Sequence, residues 1–174
     1  MRMGRWAVTG AVLASTLVAV SIVGAQTVSR SDAKFIQHAA QANLGEVQLG
    51  KLAQEKGGDS QVRQFGERMV GDHGQAAKEL QQLAGEKGVS VGSDISSSDL
   101  RLSDRLAKLQ PAAFDREYVK EMVKDHKKDV AEFRRMSEKA QDPTLKAWVV
   151  KTLPTLEDHL NMIQNLDKGL TATR

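Results

Sequence analysis

Four stretches of the chain repeat apolar residues at the three- and four-residue spacing of an amphipathic helix, and none alternates with the period of two that a strand requires. The first stripe reads Phe35, Ala39, Ala42, Glu46, Leu49, Ala53, and the second Val62, Gly66, Met69, His73, Ala76, Leu80, Leu83. The third reads Val119, Val123, His126, Val130, Phe133, and the fourth Leu145, Val149, Thr152, Leu156, His159, Ile163, Leu166.

Punctuation sets the boundaries. Ser31 or Asp32 caps a first helix that runs to about Glu55, where Lys56-Gly57-Gly58 ends it. Asp59 or Ser60 opens the second, which stops at Gly88. A polar Gly/Ser-rich loop leads to a short amphipathic helix from Ser98 to Leu109, expected to bury Leu102, Leu106 and Leu109. Pro111 begins the third long helix, ending near Ala140. Asp142 caps the fourth, with Pro143 at its first position, and it should end near Lys168 before Gly169. Pro154, inside that helix, should kink it, because it removes a backbone donor and crowds the preceding turn.

The two halves repeat. With Phe35 set on Tyr118, Glu46-Val47 falls on Asp129-Val130, the turn beginning Asp59 on that beginning Asp142, and Phe65 on Trp148. About three extra residues then accumulate around Pro154. The pattern predicts an all-α protein: a ferritin-like four-helix bundle of two helical hairpins, spanning residues 32–169, with a long connection carrying a short extra helix. Residues 26–31 read as a linker and 170–174 as a tail. The connection from Gly88 to Gln110 is long enough to travel the bundle's length, but an up-down-up-down order also fits.

Residues 1–25 stand apart. Arg2 and Arg5 precede an uncharged run from Trp6 to Ala25, and Val23-Gly24-Ala25 has the small residues of a cleavage site before Gln26. This reads as a signal peptide or, given the length of the apolar run, an N-terminal membrane anchor. Either places the remainder outside the cytoplasm, periplasmic or envelope-associated, touching a membrane only through residues 6–25 if these are retained. The leader also changes the meaning of charge. The net +3 comes from 25 basic and 22 acidic residues. Taking away the leader's two arginines leaves the remainder near neutral at +1. No basic block or basic-aromatic patch is present, so nucleic acid is not an expected partner. Cysteine is absent, which excludes disulfides and thiolate metal sites.

The chemistry lies in what interrupts the stripes. Each carries one large titratable residue at its middle: Glu46, His73, His126 and His159. His73 and His126 each sit about 15 residues from a hairpin turn, roughly 23 Å along a bundle roughly 42 Å long, so both reach its middle. His159 and Glu46 lie within about a turn of that level. Three imidazoles and a carboxylate suit a transition metal such as zinc, iron, copper or nickel. The alternative is a polar network that bonds internally. Each histidine follows an aspartate: Asp72, Asp125 and Asp158. Neighbouring helical residues point about 100° apart, so an aspartate and its histidine do not both face the axis: the aspartates either partner an imidazole on a neighbouring helix or, the favoured reading, form a solvated edge. Met69, Met122 and Met136 read as core filler rather than copper ligands. Glutamate is missing three residues before each histidine, where Val70, Val123 and Leu156 stand, which argues against di-iron oxidase or ferroxidase chemistry. No serine sits in a nucleophile elbow.

The string Phe35-x-x-x-Ala39-Ala40, then Glu46-Val47-x-Leu49-Gly50-x-Leu52-Ala53 and Met69-Val70-x-Asp72-His73, resembles the bacterial domain of unknown function family 4142. Tyr118-Val119, Met122-Val123-x-Asp125-His126 and Leu153-Pro154-x-Leu156-x-x-His159 extend the likeness over about Ala33 to Leu166. The resemblance implies an exported or outer-membrane-associated protein with a ferritin-like bundle, and no particular activity. The leading expectation is a non-catalytic envelope protein that binds a partner or serves stress tolerance. The second is a periplasmic metal-binding protein using the central histidines.

Overall fold

The computed structural model describes residues 28–172, so the leader and the last two residues lie outside it. Five helices follow one another, and no strand occurs among the described residues: α1 Arg30–Lys56, α2 Ser60–Glu86, α3 Ser97–Ala107, α4 Pro111–Lys139 and α5 Pro143–Ala172. No helix among these residues is long and apolar enough to cross a membrane. Helices α1, α2, α4 and α5 form the bundle, while α3 rests against α1 and α4.

Most ends are set by the residues the sequence marks. The Asp59 side chain caps α2 by accepting from the Gln61 N–H at 2.7 Å, and Asp142 caps α5 by accepting from the Leu145 N–H at 2.9 Å. Gly88, at φ 66°, turns the chain out of α2 while the Val89 N–H bonds back to the Ala84 carbonyl. Three details differ from expectation. The cap of α1 is Ser29, whose hydroxyl accepts from the Asp32 N–H at 3.1 Å. Asp32 is buried and bonded elsewhere. Helix α5, with Pro154 inside it as expected, runs on past Gly169 to Ala172, because Gly169 keeps an ordinary negative φ instead of the left-handed turn. In α3 only Leu106 is fully buried, with Leu102 and Leu109 half-buried.

Two carboxylates fix the topology. Asp32, near the start of α1, accepts from the Gln141 and Asp142 N–H groups at 3.0 and 2.8 Å. Asp115, near the start of α4, accepts from the Gly58 and Asp59 N–H groups at 3.0 and 2.8 Å. Each hairpin thus clamps the turn of the other. Helix α4 therefore begins at the end where α1 finishes, and the connection through α3 runs the length of the bundle. The order is a crossover, with α1 beside α2 and α4, and α5 beside α2 and α4.

The first hairpin packs closely through glycine. A Cβ on Gly50 would lie 2.7 Å from the Gly66 carbonyl oxygen, and one on Gly66 would lie 2.6 Å from that of Gly50. The apolar core falls into two clusters. One gathers Phe35, Leu80, Phe133 and Trp148 toward the α4–α5 turn. The other gathers Leu49, Phe65, Phe114 and Tyr118 toward the α1–α2 turn. Between them lies a polar waist containing Asn43, Glu46, His73, His126 and His159, all buried.

Candidate metal centre

The waist forms because the stripe of every bundle helix breaks at the same height. His126 and His159 are fully buried and His73 is 4% exposed. Their ring centroids lie 5.3–5.7 Å apart, and one nitrogen of each ring comes within 4.8 Å of one from each of the others. Phe65 closes the site on one side, its ring 6.0 Å from His126 and 6.4 Å from His159.

Hydrogen bonds fix all three tautomers. The Asn43 amide donates to the Ala39 carbonyl at 2.7 Å, which turns its oxygen toward His73 Nδ1 at 2.9 Å. That nitrogen must carry a proton. His126 Nδ1 lies 3.1 Å from the Met122 carbonyl oxygen, which can only accept. His159 Nε2 lies 2.8 Å from the Asp72 carboxylate, which accepts in the same way. The nitrogens left over, His73 Nε2, His126 Nε2 and His159 Nδ1, are buried and have no hydrogen-bond partner. In neutral rings each is a bare lone pair. Three buried acceptors without a donor cost free energy unless a cation meets them.

Protons do not readily supply that cation. Burial pushes His73 well below the ordinary imidazole value, helped by the neighbouring His126 and His159. Burial, with His159 adding to it, brings His126 down to about 4. Burial also lowers His159, although Asp72 pulls it part of the way back. Burial alone would raise Asp72, but its bonds to His159 and Arg68 outweigh that and hold it below the usual carboxylate range. The rings are therefore neutral near pH 7, the form in which imidazole binds metals.

Of the four sequence candidates, the three histidines come together, while Glu46 lies outside their group. It borders the same small cavity as His73 and His159 and feels the charges of Asp129 and Asp125. Burial, then the charges of Asp129, Asp125 and Asp99, raises it well above the ordinary glutamate value. The aspartates divide. Asp158 is exposed and Asp125 half-buried, but Asp72 is the partner of a facing imidazole rather than part of a solvated edge. Asn43 was not singled out by sequence reasoning. The repeat marks it, since the offset that places Phe35 on Tyr118 also places Asn43 on His126. Allowing for the three extra residues, His73 falls on His159 in the same way. The site is thus a pseudo-twofold set of three histidines and one asparagine. Met69, Met122 and Met136 are buried in the apolar clusters, as expected of core filler.

Fold and site together define an all-α crossover bundle with a tautomer-locked histidine trio at its waist. The chain belongs to the family described as a domain of unknown function (DUF4142), which matches residues 19–166. No curated protein matches it in sequence. Among solved structures it is similar to a DUF305 fragment from Deinococcus radiodurans, with TM-score 0.71 and 17% identity over 82% of this chain and 98% of that one. It is also similar to CopM in its Cu(I)-bound form, with TM-score 0.67 and 16% identity over 79% of this chain and 96% of that one. At such identities the likeness is one of fold.

Proposed function

We propose that the protein is an exported, non-catalytic metal-binding protein whose His73, His126 and His159 hold one transition-metal ion, with copper(I) the preferred ion. The observation that carries this is three buried imidazoles grouped with a nitrogen of each within 4.8 Å of the others, each ring having one nitrogen bonded and the other without a partner. This pattern, with Asn43, the Met122 carbonyl and Asp72 as supports, is how proteins orient ligating histidines. It favours the metal reading over the partner-binding one that led from sequence.

The choice of ion follows from the donors. Neutral imidazoles suit copper, zinc, iron and nickel, and no carboxylate belongs to the trio. The cost of burying an ion grows with the square of its charge, so a buried set of neutral donors favours a monovalent one. The fold-similar CopM has been seen with Cu(I). Export rests on the character of residues 1–25.

The test is metal content. The chain, purified without a polyhistidine tag, is loaded anaerobically with Cu(I), dialysed against a weak chelator and measured by elemental mass spectrometry. One equivalent retained, and lost in the H73L/H126L/H159L variant, is expected. No retained copper, zinc, nickel or iron would leave the trio as a buried polar network and return partner binding to first place.

A further inference from the structure

The small cavity against His73 and His159, about 30 Å³, has a second wall. On its far side a groove of about 720 Å³ opens between α1, α3 and α4. Glu46, Asp129 and Glu132 line both spaces, so carboxylates stand between the outer groove and the histidines. Farther out the groove carries Asp99 and Asp125.

Most basic residues of the groove are engaged. Arg105 pairs with Glu117 and Glu121, Lys124 with Glu121, and Lys128 with Asp125. Glu46 has no such partner. It is 6% exposed, its Oε2 is buried with no hydrogen bond, and the charges that act most strongly on it are Asp129, Asp125 and Asp99, all acidic. The repeat places Asp129 opposite it, so both first helices of the hairpins bring an acid to the same level. Glu46 is buried and Asp129 half-buried, and a carboxyl kept from water without a partner is costly unless a proton or a cation meets it.

We infer that this carboxylate-walled cleft is the loading route of the histidine site, with Glu46 and Asp129 relaying the incoming cation from the groove to His73 and His159. The inference rests on the metal-binding reading above. The groove as a whole is mixed in sign, with Arg101, Arg105, Lys124 and Lys128 beside its acids, so the route acts through the carboxylate oxygens that border both spaces rather than through a net field of the groove. The handover is downhill for copper, because carboxylate oxygens suit hard ions and imidazole suits this one.

The test compares loading rates. Cu(I) is supplied anaerobically as its complex with a chromophoric chelator, and its transfer to the full chain is followed by stopped-flow absorbance. E46Q/D129N should load markedly more slowly and still end with one equivalent. E55Q/E138Q makes two acid-to-amide changes at exposed sites at the bundle ends and should load like the unaltered chain. Circular dichroism checks that each variant is folded, and the single E46Q variant stands in if the double one is not. Equal rates for the two double variants overturn the route while leaving the histidine site intact. Loss of all metal in E46Q/D129N would make Glu46 or Asp129 a ligand and also overturn it. So would a second equivalent held by the unaltered chain and lost in that variant. A chain that never binds metal sinks both readings.

Discussion

Asp72 shows how one residue converts a buried histidine into a defined ligand. Its carboxylate, also paired with Arg68, holds the proton of His159 on Nε2 and leaves the buried Nδ1 without a proton. Replacing it by asparagine keeps the size but weakens that hold. Asp72→Asn should lower metal affinity about 10–100-fold, measured by competition with a chelator of known affinity, while the fold persists. An unchanged affinity would show that the imidazole is oriented by packing alone. The histidines were legible in sequence because each interrupts an apolar stripe, and a stripe has one reading once the helix is granted. Asp72 was legible only as one of two alternatives, because its partner lies 87 residues away on α5. A rotation of 100° along one helix says which way a side chain leaves the axis, not what waits on the neighbouring helix. Asn43 escaped for a different reason: as an uncharged residue on an apolar face, it carries no chemistry until His73 stands opposite.

The helices were predicted nearly to their ends, because caps and glycines act locally. What local signals could not give was the order in which the hairpins face each other, and two carboxylates decide it. Asp32 and Asp115 occupy equivalent places in the repeat, and each accepts two backbone N–H groups from the turn of the opposite hairpin. Turns of this kind would otherwise leave donors unpaired in a half-buried setting. Asp32→Ala and Asp115→Ala should each destabilise the protein by roughly 1–3 kcal/mol in urea unfolding. The two sites lie at opposite ends of the bundle, so the double variant should lose close to the sum. A double variant no worse than either single one would mean that the hairpins register through their cores instead. The same view explains α1: its cap moved to Ser29 because Asp32, the expected cap, is committed to the other hairpin.

At the scale of the molecule, the waist divides the core into two apolar clusters, and the strongest packing lies within each hairpin rather than between them. The metal ligands cross that weaker seam. His73 belongs to the first hairpin, and His126 and His159 to the second. An ion bound by all three would tie the halves together at the level where apolar packing is interrupted. At a free metal concentration of about 100 times the dissociation constant, binding adds roughly 2.7 kcal/mol. In a chain of this size that corresponds to a melting temperature raised by roughly 5–10 °C. The gain should also be placed unevenly. Hydrogen exchange should slow most around residues 69–77 of α2 and 156–163 of α5, whose opening breaks the metal bonds, and less at the bundle ends. The H73L/H126L/H159L variant, with its waist filled by apolar groups, should show no metal-dependent change and could melt as high without metal as the unaltered chain does. Protection confined to the acidic groove would place the ion among carboxylates instead. Equal melting shifts in the variant and the unaltered chain would show that the ion stabilises the bundle from somewhere other than the histidine waist.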